Sequence, residues 1–202
     1  MLAIAAAIEL GIRPCRARRA IEKITEIAGR MDCIHAGDIS VLSDYAHTPK
    51  ALACVLKEAA SMKNGENELW LIFGCGGERD REKRPKMARI AESLADRVVL
   101  TLDNCRNESP MQILKDTVAG FSHRERVRVI SNREKAIRQT VLAMKKGDCL
   151  IIAGKGHEQY TIDKSGYHSF DEKIVVLNAL KERKGGHTVS YEDPTESTLN
   201  GR

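Results

Sequence analysis

Four short stretches combine residue types that do chemistry with glycine or proline at spacings that open the backbone. The first is Asp44-Tyr45-Ala46-His47-Thr48-Pro49. Its carboxylate can accept hydrogen bonds from ribose hydroxyls, and its two rings offer flat faces or polar tips to a nucleotide. Helix capping alone accounts for Thr48 and Pro49. The second is Phe73-Gly74-Cys75-Gly76-Gly77-Glu78-Arg79-Asp80, followed by Lys83-Arg84-Pro85. Its glycines permit tight turning and close backbone approach, and open N–H groups beside Arg79 would suit an anion. An ordinary strand-to-helix loop explains the glycines as simply, and neither a Walker A sequence nor the full G-x-G-x-x-G fingerprint is present.

The third stretch is Asp103-Asn104-Cys105-Arg106-Asn107-Glu108-Ser109-Pro110. Arg106 can hold a carboxylate with two parallel hydrogen bonds, which lysine cannot imitate. Asn104 adds a neutral donor and acceptor, while Ser109 and Pro110 read as a helix cap and its first position. The fourth is Ala153-Gly154-Lys155-Gly156-His157-Glu158. Here glycines let backbone approach a ligand and Glu158 can accept bonds from an ammonium group. A plain β-turn with exposed charges is the competing account, and Lys155 lacks the upstream glycine of a Walker lysine. Arg and Asn on one loop, with Glu on another, describe a site for a zwitterion. The residues themselves reach as far as an amino-acid-like ligand.

The elements that must position these loops show in the hydrophobic pattern. Strand-like runs occur at 33–35, 39–42, 69–73, 97–101, 127–130 and 149–153, with a hairpin signal at Gly37-Asp38. Helical spacing predicts helices over 2–10, 15–28, 49–61, 83–94, 110–119, 132–145 and 171–183, with Pro14 opening the second. Alternation of this kind predicts an α/β fold: a doubly wound, mostly parallel sheet with helices on both faces. Such sheets bind ligands beyond the carboxyl ends of their strands, which is where the chemical stretches fall. The segment from Lys184 to Arg202 is polar, charged and aperiodic, and is expected to be disordered.

Composition narrows the class of function. Hydrophobic residues make up 42%, charged residues 30% and aromatics 4%, so an aliphatic core is expected. The net charge of +5 is spread among interspersed signs, without the basic stripe or motif of a nucleic-acid binder. No apolar run is long enough for a membrane span, and residues 2–10 lack the basic start and cleavage site of a signal peptide. The six cysteines form no CxxC pair and no zinc spacing, which fits a reducing cytoplasmic compartment and predicts no metal site within this chain.

Taken in order, the four stretches resemble the Mur ligase family, and within it the branch that attaches meso-diaminopimelate to a peptidoglycan precursor. The likeness rests on Gly29-Arg30-Met31, Asp44 to Pro49, Gly74 to Pro85, Asp103 to Pro110 and Ala153 to Glu158, and it runs to about Arg183. It implies a Rossmann-like C-terminal domain over 36–183, preceded at 1–35 by the end of a central domain and linker. It also implies a cell-wall ligase that uses ATP and magnesium to join meso-diaminopimelate to UDP-N-acetylmuramoyl-L-alanyl-D-glutamate. Carried over by position, Arg30, Asp44, Tyr45 and His47 would contact the nucleotide. Arg79, Asp103, Asn104, Arg106, Gly154 and Glu158 would line the diaminopimelate pocket. Catalytic residues and magnesium ligands would belong to the central domain, whose P-loop has no counterpart here; the isolated chain is therefore expected to be inactive. A stand-alone module that binds an amino acid or nucleotide without turnover is the alternative. Two positions depart from the family pattern: Cys105 and Ala28 stand where proline is usual.

Overall fold

The structure is a computed structural model and describes residues 2–24, 27–63 and 65–186. Helices α1 (Leu2–Glu9) and α2 (Pro14–Glu22) lead into β1 (Asp32–Ala36) and β2 (Ser40–Asp44). Then α3 (Pro49–Ser61), β3 (Leu69–Phe73), α4 (Lys83–Leu94), β4 (Arg97–Leu100), α5 (Pro110–Val118) and β5 (Val127–Val129) alternate. The chain finishes with α6 (Arg133–Ala143), β6 (Cys149–Ala153), the short strands β7 (Tyr160–Asp163) and β8 (Gly166–Ser169), and α7 (Glu172–Lys184).

The main sheet runs β1-β2-β6-β3-β4-β5; all its pairings are parallel except that β1 lies antiparallel to β2. Strand periodicity divides its side chains between two cores. Leu69, Leu71 and Phe73 of β3 pack with α3, α4 and α5, through Leu52, Leu56, Met87, Ala91 and Ile113. Trp70 and Ile72 face the other way, toward Ile137 and Val141 of α6 and Val176 and Leu180 of α7. The change of face has a topological cause. The chain steps outward through β3, β4 and β5, then reverses to place β6 between β2 and β3. With right-handed crossovers, a reversal of direction carries the connecting helix to the opposite face. The carboxyl ends of β2 and β6, where the order reverses, form the switch point.

The expected doubly wound sheet is therefore present, with three differences of detail. The second helix stops at Glu22, capped by Lys23, instead of continuing to residue 28. Ile24 and Ile27, which prolonged the apolar pattern, are exposed. The β7–β8 hairpin was absent from the sequence reading, although Asp163-Lys164-Ser165-Gly166 between alternating residues is a turn signal. Residues 32–35, assigned to the preceding segment from sequence, form the sheet's edge strand. Of the polar segment 184–202, Lys184 ends α7 and Gly185 caps it, and 187–202 lie outside the described residues. No helix among the described residues is long and apolar enough to cross a membrane.

Candidate functional site

All four chemical stretches meet along the carboxyl edge of the sheet. Arg30, Asp44, Tyr45 and His47 line one open hollow of about 350 Å³, together with Ala46, Ala51, Cys54 and Val55. Tyr45 is its centre. The Arg30 guanidinium sits 5.1 Å from the Tyr45 ring centroid, His47 lies edge-on at 4.8 Å, and His157 is tilted against it at 5.4 Å. Burial pushes the Tyr45 phenol above its usual range, and the Glu158 carboxylate adds to that shift. Thr48 caps α3 as expected, its hydroxyl accepting from Ala51 N at 3.3 Å. Asp44 has a different visible task from the ribose contact expected of it. Its two carboxylate oxygens accept the N–H groups of Met31 (2.9 Å) and Ala46 (2.7 Å), tying the segment before β1 to the end of β2.

The second cluster is polar and densely bonded. Asn104 is buried; its Nδ2 donates to Glu158 Oε2 at 3.0 Å, and its Oδ1 accepts from Lys155 Nζ (2.8 Å) and Ile162 N (3.0 Å). Gly154 runs at φ 123°, and a Cβ there would stand 2.7 Å from Asp103 Oδ2, so only glycine lets these two strand ends touch. Arg106 donates through Nη1 to the carbonyls of Gly77 (2.9 Å) and Asn104 (3.3 Å). Its Nε and Nη2 have no partner among the described residues, leaving one edge of the fork for a carboxylate. Arg79 is exposed at the rim, with Nη1 3.2 Å from the Glu78 carbonyl.

Two N–H groups of the glycine-rich loop are engaged within the protein. Gly77 N donates to Asn104 O at 2.9 Å and Glu78 N to Glu108 Oε2 at 3.0 Å, so these N–H groups join one loop to the next. A side chain on Gly77 would run into the Cys105 carbonyl, which explains glycine at that position. Ser109 holds the N-cap position of α5 but makes no capping hydrogen bond. Cys105, buried with Sγ 3.4 Å from the Asp103 carbonyl, is held protonated: burial, reinforced by Asp103, pushes its thiol up to about 11. Residues other than glycine adopt positive φ at Met31 (46°), Glu78 (53°) and Arg106 (53°), and all three flank these clusters. Strain of that kind gathers where surroundings hold a site in place.

Several residues that build the site carried no such assignment in the sequence. Lys155, which the competing β-turn account would leave exposed, is fully buried. Arg84 is also fully buried and grips Glu108 with two bonds, Nη1 to Oε1 at 2.8 Å and Nη2 to Oε2 at 2.7 Å, while Nη1 reaches Asp116 Oδ2 at 2.8 Å. Arg84 holds the Glu108 carboxyl down at about 2. Lys83 donates to the His47 carbonyl at 2.9 Å, joining α4 to the hollow around Tyr45. Arg133 and Glu172 form a buried pair at 2.6 Å beneath β6, and Arg133 Nη2 also bonds the Ala153 carbonyl at 3.0 Å. The hairpin contributes Ile162, whose carbonyl accepts Arg106 N at 3.0 Å. Among the described residues no group of three or more His, Cys, Asp or Glu is placed to hold a metal ion.

The family model described as "Mur ligase, glutamate ligase domain" matches residues 29–156, the span that contains most of both clusters. The chain belongs to the Mur ligase family. Its relatives include the UDP-N-acetylmuramoyl-L-alanyl-D-glutamate–2,6-diaminopimelate ligase of Chlorobaculum tepidum, 44% identical over 88% of this chain and 35% of that protein. The ligase of the same name from Buchnera aphidicola is 38% identical over 91% of this chain and 36% of its own length. A solved structure bearing that ligase name superposes with a TM-score of 0.73 at 38% identity, over 92% of this chain and 38% of that one. The UDP-N-acetylmuramate–alanine ligase of Thermotoga maritima, at 18% identity and a TM-score of 0.61, shares the fold. This Mur ligase chain spans a little over a third of the length of the curated relatives it matches.

Proposed function

We propose that this chain is the amino-acid- and nucleotide-contacting part of an ATP-dependent ligase that adds meso-diaminopimelate to UDP-N-acetylmuramoyl-L-alanyl-D-glutamate. The observation that carries the reading is the polar cluster: the unpartnered edge of Arg106, the donor Asn104 and the acceptor Glu158 stand together on loops from different strands. Two carboxylates and an ammonium group are what that set complements. Asn104 and Glu158 would take one amino-acid end of diaminopimelate, and the Arg106 fork would take the far carboxylate. A ligand lacking that carboxylate leaves a guanidinium edge desolvated and unpaired, which is the physical basis for rejecting lysine.

In the reaction that the family resemblance implies, the γ-phosphoryl group of ATP would pass to the terminal carboxylate of the UDP-linked dipeptide and ADP would leave. The diaminopimelate amine then attacks the acyl carbon; a C–N bond forms, the C–O bond to phosphate breaks, and phosphate and a proton depart. The residues of this chain would bind and orient. Tyr45, flanked by Arg30, His47 and His157, offers ring faces suited to a base or ribose, and Asp44 fixes the backbone beside Arg30 and Tyr45 through Met31 N and Ala46 N. The apolar and aromatic lining of the hollow fits the flat part of a nucleotide. Magnesium ligands would come from the remainder of the ligase.

Arg106→Lys, in the complete ligase, should raise the KM for diaminopimelate about 100-fold, since it removes the bidentate partner of a buried carboxylate. The KM for ATP should stay within about twofold. Equal losses for both substrates would remove Arg106 from the pocket.

A further inference from the structure

Lys155 stands at the centre of the polar cluster with no exposed surface. Its Nζ lies 2.8 Å from Asn104 Oδ1, 2.6 Å from the Tyr160 carbonyl and 3.4 Å from Asp103 Oδ1. Two of these acceptors take hydrogen bonds from Nζ, and the Asp103 carboxylate stands at ion-pair distance, a setting that favours the charged ammonium. Burial lowers the lysine's affinity for its proton, and Asp103 works against that. Glu158 Oε2, at 3.9 Å, completes the surrounding negative charge.

This geometry decides which way the Asn104 amide faces. Its Oδ1 meets two donors, the Lys155 ammonium and the Ile162 N–H. Turning the amide over would set an NH₂ group against an ammonium and an N–H, donor against donor, in a buried place. Nδ2 must therefore face Glu158. One of its N–H bonds goes to Glu158, and the other remains for a ligand. Asn104 can give a hydrogen bond to a ligand there but cannot accept one.

We infer that Lys155 is a positioning residue that sets the polarity of the amino-acid pocket. Acting through Asn104, it fixes a face that donates to a ligand carboxylate and leaves Glu158 as the adjoining acceptor for the ligand's ammonium. The same ammonium holds the Tyr160 carbonyl, so the β7–β8 hairpin is anchored by the group that orients the amide. The inference rests on the amino-acid reading of the site given above.

The test is nuclear magnetic resonance of the 202-residue chain, which reads weak binding and the amide itself. Wild type should show a slowly exchanging Lys155 ammonium resonance; exchange as fast as that of surface lysines would overturn the inference without any variant. Lys155→Met, near in size and uncharged, should shift the Asn104 side-chain amide signals and weaken meso-diaminopimelate at least tenfold. Asn104→Ala should weaken it similarly, and the double variant should be within about twofold of Asn104→Ala alone, because both act on one contact. Losses that multiply in the double variant, or Lys155→Met binding within twofold of wild type, would exclude positioning through Asn104. If Lys155→Met does not fold, Lys155→Gln with the same readouts replaces it. Failure of the amino-acid reading looks different: wild type would show no shift with diaminopimelate, while the Asn104 amide still moved on Lys155→Met.

Discussion

The two clusters at the sheet's carboxyl edge are neighbours built on opposite principles. The Asn104 cluster is held by buried cations, Lys155 and Arg84, each with several partners at hydrogen-bond distance. The Tyr45 hollow is an open surface of rings and small apolar side chains, with Asp44 bound beneath it. A charged group removed from water must be over-determined by its surroundings, so the first cluster is rigid before any ligand arrives. A ring surface needs no such enclosure and can be completed from outside. That contrast suits the roles proposed above, one small zwitterion positioned closely and a nucleotide held on an open face.

The sharpest way to break the contrast is Arg84→Met. It leaves the Glu108 carboxylate in a site with little solvent and no bidentate partner, and should cost about 3–5 kcal/mol. Denaturant unfolding should show the loss as a lowered midpoint with an unchanged slope. A loss under about 1 kcal/mol would mean the buried pair does not organise the cluster.

Acid sharpens the same point. The Glu108 carboxyl is held at about 2, below its ordinary 4.5, so its contribution is fully present above about pH 4.5. It is lost progressively as pH falls through that value toward about 2. Wild type should therefore lose ~2 kcal/mol more than Glu108→Gln between pH 5 and pH 2. Parallel pH profiles for the two proteins would contradict this.

On the other side of the comparison, Tyr45→Ala should weaken nucleotide binding about tenfold, the value of roughly one ring stack, and lower stability by less than about 1 kcal/mol. A collapse of stability comparable to Arg84→Met would show that the hollow, too, is a buried framework. The smallest effect belongs to Cys105→Pro. The Cys105 N–H has no partner among the described residues, and its thiol is protonated and buried. Proline there should stabilise by about 0.4–1 kcal/mol through the unfolded chain, read as a small rise in Tm, with diaminopimelate binding unchanged.

Much of this protein was legible locally. The strands at 69–73 and 149–153 announced themselves as unbroken apolar runs, because a parallel strand is buried on both faces. Thr48-Pro49 marked a true helix start, and the stretches carrying Tyr45, His47, Asn104, Arg106 and Glu158 stood out by residue type, while Arg30 entered only through the family resemblance. The second helix was overread because periodicity reports that apolar residues share a face, not that anything lies opposite them. Ser109 was overread for a related reason, since a good capping residue caps only if its side chain turns inward.

What the sequence by itself determined, then, is the set of elements and the chemistry each loop can offer, since strand and helix patterns and turn residues act over a few positions. Tertiary structure alone decided which loops meet. Placing β6 between β2 and β3 brings Lys155 to Asn104, and the packing of α4 against α5 sets Arg84 upon Glu108. Those contacts join residues far apart in the chain, and a lysine or arginine bears no local mark of whether it will face water or be enclosed. The partners that make enclosure tolerable are supplied only when the sheet closes around them.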